Sequence, residues 1–372
     1  VDFTFPVDAN SVQLDDLKVN GLTATTHAMV DADTVTFTFA DSPVSSQGLQ
    51  SISILEGAVT SINDGSALPE YHGEFRLDVT PLTVSQTAPT AGSDLLLEEL
   101  DAPATAVLSM AGMDGGNGAW PVLYGADAVS SRGMQVVVDE DTSLDSERSH
   151  TNEQAAYVVF EETGVITSFL ETGVVAGITH QWVTVPLSGS YASAVVVATP
   201  NYDLTHAPVV TRIKNVTATS FDLRVQTADG LNEPILPVSV HFLVAEEGHY
   251  TAAVDGITME AVKLEGAEAP SITDGSGSWQ GTSQVYRNTY STPVVGGPVM
   301  STDDAAAFSV FWARGTDSTS PPTSDSLFVG KHVGEDPTPT RPPETIGYIV
   351  IEGGKGAIDG LEYLAGVGGD TV

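Results

Sequence analysis

Two acidic turns recur at corresponding places in this chain, and they are the first residues whose types could do chemistry. Asp139-Glu140-Asp141, with Asp145 just beyond, has a carboxylate spacing that can wrap Ca2+, and Glu335-Asp336 repeats the acidity. The run lacks the glycine and the closing glutamate of an EF-hand loop, so Asp139, Asp141 and Asp145 would hold calcium in another way. Solvated loop acids are the commoner use of such a run. Asp114-Gly115-Gly116-Asn117-Gly118 is a lone glycine-rich turn, a weak sign of a calcium-binding β-roll.

A second chemistry is sugar recognition, which needs an aromatic face for the ring and planar polar groups for its hydroxyls. Tyr202, Asp203, Arg212, Arg224 and His241 supply those types. The arginines stand out because Lys+Arg number 13 against 49 Asp+Glu. Pairing of each arginine with a local carboxylate is the alternative. Trp120, Tyr124 and Trp312 fit a core better than a site. Glu153, Glu161, Glu344 and Glu352 invite a glycosidase reading. Their recurrence favours a structural role instead, with Arg148 and Arg341 pairing with them to pin a strand. His150 and His332 neighbour the acidic turns without a second histidine at ligand spacing. No Gly-x-Ser-x-Gly elbow, phosphate loop or dinucleotide fingerprint is present.

The elements that would position these residues are strands. Short Val/Thr/Ile/Phe runs alternate and break at Gly, Pro, Asn and Asp, as in Thr34–Phe39, Ala194–Ala198 and Phe221–Gln226. Glu153-Gln-Ala-Ala-Tyr157-Val-Val-Phe-Glu161 matches Glu344-Thr-Ile-Gly-Tyr348-Ile-Val-Ile-Glu352, and Val238–Glu246 is a degenerate third copy. Opening strands at 106–110, 194–198 and 293–297 correspond. So do central strands at 120–124, 209–213 and 308–312, and third strands at 134–138, 221–225 and 327–331.

Hydrophobic residues at 41% allow a core in each unit, and no apolar run reaches the roughly 20 residues of a membrane helix. A formal charge of −36 argues against nucleic acid and anionic membranes, which require basic residues, and suits a saline medium. With no cysteine there are no disulfides or thiolate sites. Val1 enters what reads as mid-strand, so the expectation is a segment of a longer polypeptide.

Strand signals at Phe3–Asp8, Leu17–Gly21, Asp33–Phe39, Ile52–Ala58 and Gly73–Asp78 make residues 1–83 resemble the bacterial Ig-like domains of large surface proteins. Residues 84–93 read as a linker. Farther on, Trp182-Val-Thr-Val-Pro-Leu187, Tyr191–Ala198, Asn215-Val-Thr…Phe221 and Val238–Val244 resemble an H-type lectin domain. That resemblance implies an antiparallel β-sandwich that associates in threes and binds sugars at subunit edges. His241-Phe242, Ala156-Tyr157 and Gly347-Tyr348 stand where that family has tryptophan, a departure at the sugar site.

The expected architecture is therefore all-β: an Ig-like sandwich (1–83), the linker, then three similar antiparallel β-sandwiches at 94–170, 171–265 and 266–372. These are packed as a covalently linked pseudo-trimer or strung as beads. The expected function is a non-catalytic module of a bacterial secreted or surface protein, with copies of itself or adjacent domains as partners. A carbohydrate-binding adhesin for polysaccharide, and a binding appendage of a polysaccharide-degrading enzyme, are the rivals.

Overall fold

The computed structural model describes the chain apart from residues 2, 41, 45–47, 78–92, 97–99, 101–102, 131–132, 145–147, 149, 152, 204, 228–234, 266–272, 275–278, 303–306 and 369–372. It is all-β, with several sheets, two of them eight-stranded and strongly curled. Its one described helix is a single turn, Ala252–Asp255, closed by Gly256 at φ 77°. The chain divides into Val1–Thr83 and Val84–Val372.

The first unit holds β1 (Leu17–Val19), β2 (Leu22–Thr23), β3 (Thr26–Met29), β4 (Val35–Thr38), β5 (Gly48–Ile54) and β6 (Tyr71–Leu77). A sheet in the order β2-β1-β5-β6 and the β3–β4 hairpin enclose Phe3, Val7, Val12, Leu17, Val35, Ile54 and Val59. Asn20 and Gly21, at φ 51° and 76°, are not strand as expected but the tight turn between β1 and β2. A two-residue hairpin needs positive φ at both positions, which Asn-Gly accepts at least cost. Phe3–Asp8 is not a regular strand: it is held by a Val7–Ser61 bridge and by single backbone bonds such as Phe3 N to Asp33 O and Val7 N to Ala32 O, with Pro6 lacking an amide to give a ladder.

The second unit opens with β7 (Ser93–Leu96). Next come β8 (Thr105–Met110), β9 (Ala119–Leu123), β10 (Val129–Ser130), β11 (Gly133–Glu140), β12 (Ala155–Phe160), β13 (Gly164–Thr167) and β14 (Leu170–Ile178). The middle stretch carries β15 (Val183–Pro186), β16 (Ala194–Asn201), β17 (Val209–Lys214), β18 (Ser220–Thr227), β19 (Val238–Glu246), β20 (Gly248–Tyr250) and β21 (Met259–Leu264). The last carries β22 (Thr273–Asp274), β23 (Thr282–Gln284), β24 (Pro293–Gly296), β25 (Val310–Arg314), β26 (Leu327–His332), β27 (Ile346–Glu352), β28 (Gly354–Ile358) and β29 (Leu361–Val367).

Pairing repeats along these three stretches. Each opening strand lies antiparallel to its closing strand: β8 to β12, β16 to β19, β24 to β27. Each central strand pairs with the next: β9 with β11, β17 with β18, β25 with β26. A hairpin ends each stretch: β13–β14, β20–β21 and β28–β29. With β14 counted as the end of the first stretch, which moves that boundary from the expected 170 to 178, the last strand of every hairpin pairs outside its own stretch. β14 pairs with β19, β21 with β27, and β29 returns to β12.

The closing strands are buried on both faces, which is why they read as near-continuous apolar runs. Alternate residues of each serve two different cores. Ala156, Val158 and Phe160, Leu243 and Ala245, and Ile349 and Ile351 share one central cluster. The intervening side chains face three outer clusters: Phe242 and Val244 with Trp120 and Phe221, Val159 with Met110 and Trp312, and Tyr348 and Val350 with Phe311 and Tyr290. Full burial of side chains of this size contributes about 1.5–3 kcal/mol each.

Candidate functional site

The seams between the three stretches gather most of the residues that the sequence singles out. Near the central core, Thr199 Oγ1 accepts a hydrogen bond from Leu108 N at 2.8 Å, and Ser109 Oγ accepts one from Gly297 N at 3.0 Å. Ser109 lies opposite Ala156 and Thr199 opposite His241, so the closing-strand register makes the two hydroxyls equivalent. Pro298 stands at the third such place, its carbonyl accepting from Gly347 N, and there Thr211 Oγ1 donates to Ala198 O at 3.0 Å. Two parallel bridges, Asn201–Leu123 and Trp312–Met110, join neighbouring stretches into the eight-stranded sheets. A cavity of about 50 Å3 lined by Leu108, Ser109, Ala198, Thr211 and Gly297 lies between these strands, with room for water but not for a sugar.

A network of buried charge crosses the same seams. Asp139, at the end of β11, takes Arg148 Nε at 2.9 Å and Nη2 at 2.5 Å, and the Tyr202 hydroxyl at 2.7 Å. Burial and then this carboxylate push the Tyr202 phenol well above its ordinary range. Arg148 Nη1 also donates to His206 O at 2.6 Å, tying the first stretch to the second. Glu344 receives Lys331 Nζ at 2.9 Å, Ser309 Oγ at 2.6 Å and Arg212 Nη2 at 3.4 Å, with Lys331 and Glu344 at 0% and 1% exposure. Burial lowers the lysine below its ordinary value, opposed by Glu344. Asp141 Oδ2 accepts from Glu335 N at 3.0 Å, and Leu144 N donates to Glu335 Oε2 at 3.2 Å, so the two acidic turns meet.

His150 sits within this network, its Nδ1 2.6 Å from Glu140 Oε2 and its Nε2 2.9 Å from Glu153 Oε1. Burial acts to depress the imidazole, but the two carboxylates outweigh it and hold the group up at about 9. Glu153 also accepts from Asp114 N at 2.8 Å and Gly115 N at 2.7 Å, so the glycine-rich turn wraps this carboxylate. His332, wholly buried, hydrogen-bonds Ala119 O at 3.0 Å and accepts from Gly334 N at 3.1 Å. Its indole neighbour Trp120 stacks on it at 6.5 Å and meets Phe308 edge-on at 5.8 Å.

Arg148 and Arg341 were expected to pair with the repeated glutamates. They take Asp139 and Asp336 instead, with Arg341 Nη2 2.7 Å from Asp336 Oδ2. The glutamates have other work. Glu352 accepts from Ser291 N and Thr292 N at 2.9 and 2.8 Å, and Glu246, its counterpart on β19, from Ser193 N at 2.8 Å. Each thereby fixes the residues that lead into the opening strand.

Of the five residues considered for sugar, Tyr202, Arg212 and His241 are buried in the seams. His241 faces the central core, where burial lowers it to about 4, and its Nδ1 accepts from Ala106 N at 3.3 Å. Asp203 is exposed and caps a turn through Thr205 N at 2.8 Å. Arg224 lies opposite Arg212 across β17–β18, donates to Gln226 Oε1 at 2.8 Å, and stands 4.7 Å from the Trp182 ring centre. Lys214 Nζ is 4.1 Å from the same half-buried ring. None of the five lines the 50 Å3 cavity, a 290 Å3 depression beside Asn117, Leu144 and Glu335, or a 560 Å3 groove beside Thr292, Pro322 and Gly366. Among the calcium candidates, Asp139 and Asp141 are engaged as above and Asp145 lies outside the described residues. Among the described residues no group of three or more His, Asp or Glu could hold a metal ion.

Sequence reasoning missed Glu171 and Glu260. Glu171 on β14 accepts from Ser188 N and Gly189 N at 2.8 Å each and from the Tyr191 hydroxyl at 3.1 Å. Glu260 on β21 accepts from Arg287 N at 2.7 Å and Asn288 N at 3.1 Å, and burial raises it. Each clips an exchanged strand to the loop of the stretch it enters. Asp255-Gly256-Ile257-Thr258-Met259-Glu260-Ala261 and Asp359-Gly360-Leu361-Glu362-Tyr363-Leu364-Ala365 repeat one turn-and-strand pattern, which marks the strands but puts Leu364 where Glu260 stands and so gives no sign of the glutamates. Comparison with protein-family models, curated proteins and solved structures gives no match to this chain.

Proposed function

We propose that the chain is a non-catalytic structural module of a large secreted or cell-surface bacterial protein, with a bacterial Ig-like domain preceding three H-type-lectin-like β-sandwiches. The three are joined as a covalently linked pseudo-trimer. The observation that carries this reading is the cyclic exchange of last strands, β14 to β19, β21 to β27 and β29 to β12, around one central core. Tyr202, Arg212 and His241, candidates for a sugar site, are engaged in the seams, which favours scaffolding over chemistry. Linking three units in one chain replaces association with an intramolecular step. Partners are copies of the same chain or adjacent domains of a longer one, in a filament or coat.

The test is electron microscopy of the purified chain in saline buffer, with a glycan array in parallel. The reading expects ordered end-to-end assemblies and no retained glycan. A chain that stays dispersed while binding one glycan class, with loss of binding in Arg224→Ala, overturns it in favour of the adhesin.

A further inference from the structure

The first and last strands of the repeat, β8 and β29, converge on one strand, with β7 ahead of them paired to β11. β8 and β29 lie on opposite sides of β12, and both run antiparallel to it. They are therefore parallel to each other. β8 begins at Thr105, opposite Phe160, whose other neighbour is Tyr363. β29 ends at Val367, opposite Ala156, whose other neighbour is Ser109. The start of β8 and the end of β29 thus sit at opposite ends of the same three-stranded ribbon. The equivalent ribbons β16-β19-β14 and β24-β27-β21 are internal to the chain and carry neither end.

This placement decides how the fold meets tension. When two strands are drawn apart at neighbouring ends, their hydrogen bonds open one after another, each worth only about 1 kcal/mol net. When they are drawn along their length from opposite ends, the bonds of a ladder must fail together. Tension between the chain ends first parts the short β7–β11 ladder, and then pulls β8 one way and β29 the other along the axis of β12, so both ladders are loaded lengthwise. The ladders extend past the strands through Ala104 N to Phe160 O at 2.8 Å, Ala111 N to Gln154 O at 2.8 Å and Gly368 N to Ala155 O at 2.7 Å. Val158 and Phe160 of β12, with Tyr363 and Ala365 of β29, also lie in the central core, so sliding would expose that core to water.

We infer that residues 84–372 form a load-bearing module in which tension along the chain is carried in shear by β8, β12 and β29. The inference rests on the structural-module reading and adds a mechanical role to it. Forced unfolding reports the barrier to rupture rather than equilibrium stability, so the direction of pulling matters even when the protein is the same.

The absence of native cysteine allows handles to be placed at will. The full chain is stretched in a single-molecule force instrument through cysteines added at its two termini. It is then stretched through Glu162→Cys and Ala357→Cys, which sit at neighbouring ends of β12 and the β28–β29 hairpin. Thr163→Cys with Lys355→Cys is the alternative pair at that end if the first does not fold. With terminal handles, the second unit is identified by a length gain of roughly 1000 Å, against roughly 300 Å for residues 1–83, at about 3.5 Å per residue. The inference expects a rupture force through the termini about twofold or more above that through the paired-end handles, as bonds failing together require. Equal forces, or a lower force through the termini, overturn it. Equal forces would leave the filament reading standing, and a chain that forms no filament would leave a high shear force standing.

Discussion

His150 makes the stability of the second unit depend on alkaline pH. Its imidazole lies between Glu140 and Glu153, with a side-chain exposure of 5%. The folded group titrates at about 9, against an ordinary value of 6.5. Because the folded value is raised, the contribution is fully present below pH 6.5 and is lost as pH rises to 9. Between those values the folded state holds a proton that the unfolded state has released, so stability falls by about 1.4 kcal/mol per pH unit, or about 3 kcal/mol in all. Urea unfolding at half-unit steps from pH 6 to 9.5 measures this, with His150→Gln as the reference that subtracts every other group. The wild-type curve should converge on the variant's as pH rises. A gap between the two that stays constant over this range would show that the imidazole is not held charged, and would refute the reasoning.

Other outcomes follow from the same seams. Glu344→Gln leaves Lys331 and Arg212 buried against a neutral amide and should cost about 3–5 kcal/mol in denaturant midpoints, whereas Glu352→Gln, at a more exposed turn, should cost about 1 kcal/mol. Gly173 lies beneath the Phe242 ring where β14 meets β19, and a Cβ there would overlap it; Gly173→Ala should cost about 1–3 kcal/mol by calorimetry. His241 and His332, lowered by burial to about 4 and about 3, should show no ring titration by NMR between pH 5 and 8. Since Asp139 and Asp141 are already engaged by Arg148, Tyr202, Ser143 and Glu335, calcium and EDTA should give the same melting temperature.

Strand composition and the repeated closing strand made the all-β class and the opening, central and closing strands legible, because alternation and turn residues act locally. The exchange of β14, β21 and β29 was not legible. A strand carries its faces in its sequence but not its neighbour, and β14 buries the same face whether it meets β12 or β19. The charged residues misled for a related reason. Scarcity marked Arg212 and Arg224, and repetition marked Glu344, yet which carboxylate meets which cation depends on the packing of distant stretches. Arg148 found Asp139, nine residues before it, on the strand that leads into its own loop. His241 looked like a polar handle, but its place in the period-two pattern between Val240 and Phe242 on one face already put it on the other, toward the central core.

Strand exchange is tested most directly by amide-to-amide NOEs in the deuterated protein. The account predicts cross-peaks between strands of different stretches: β12 with β29 near Val158 and Ala365, β14 with β19 near Thr172 and Leu243, and β21 with β27 near Ala261 and Ile349. Cross-peaks that instead join each last strand to the closing strand of its own stretch would contradict it.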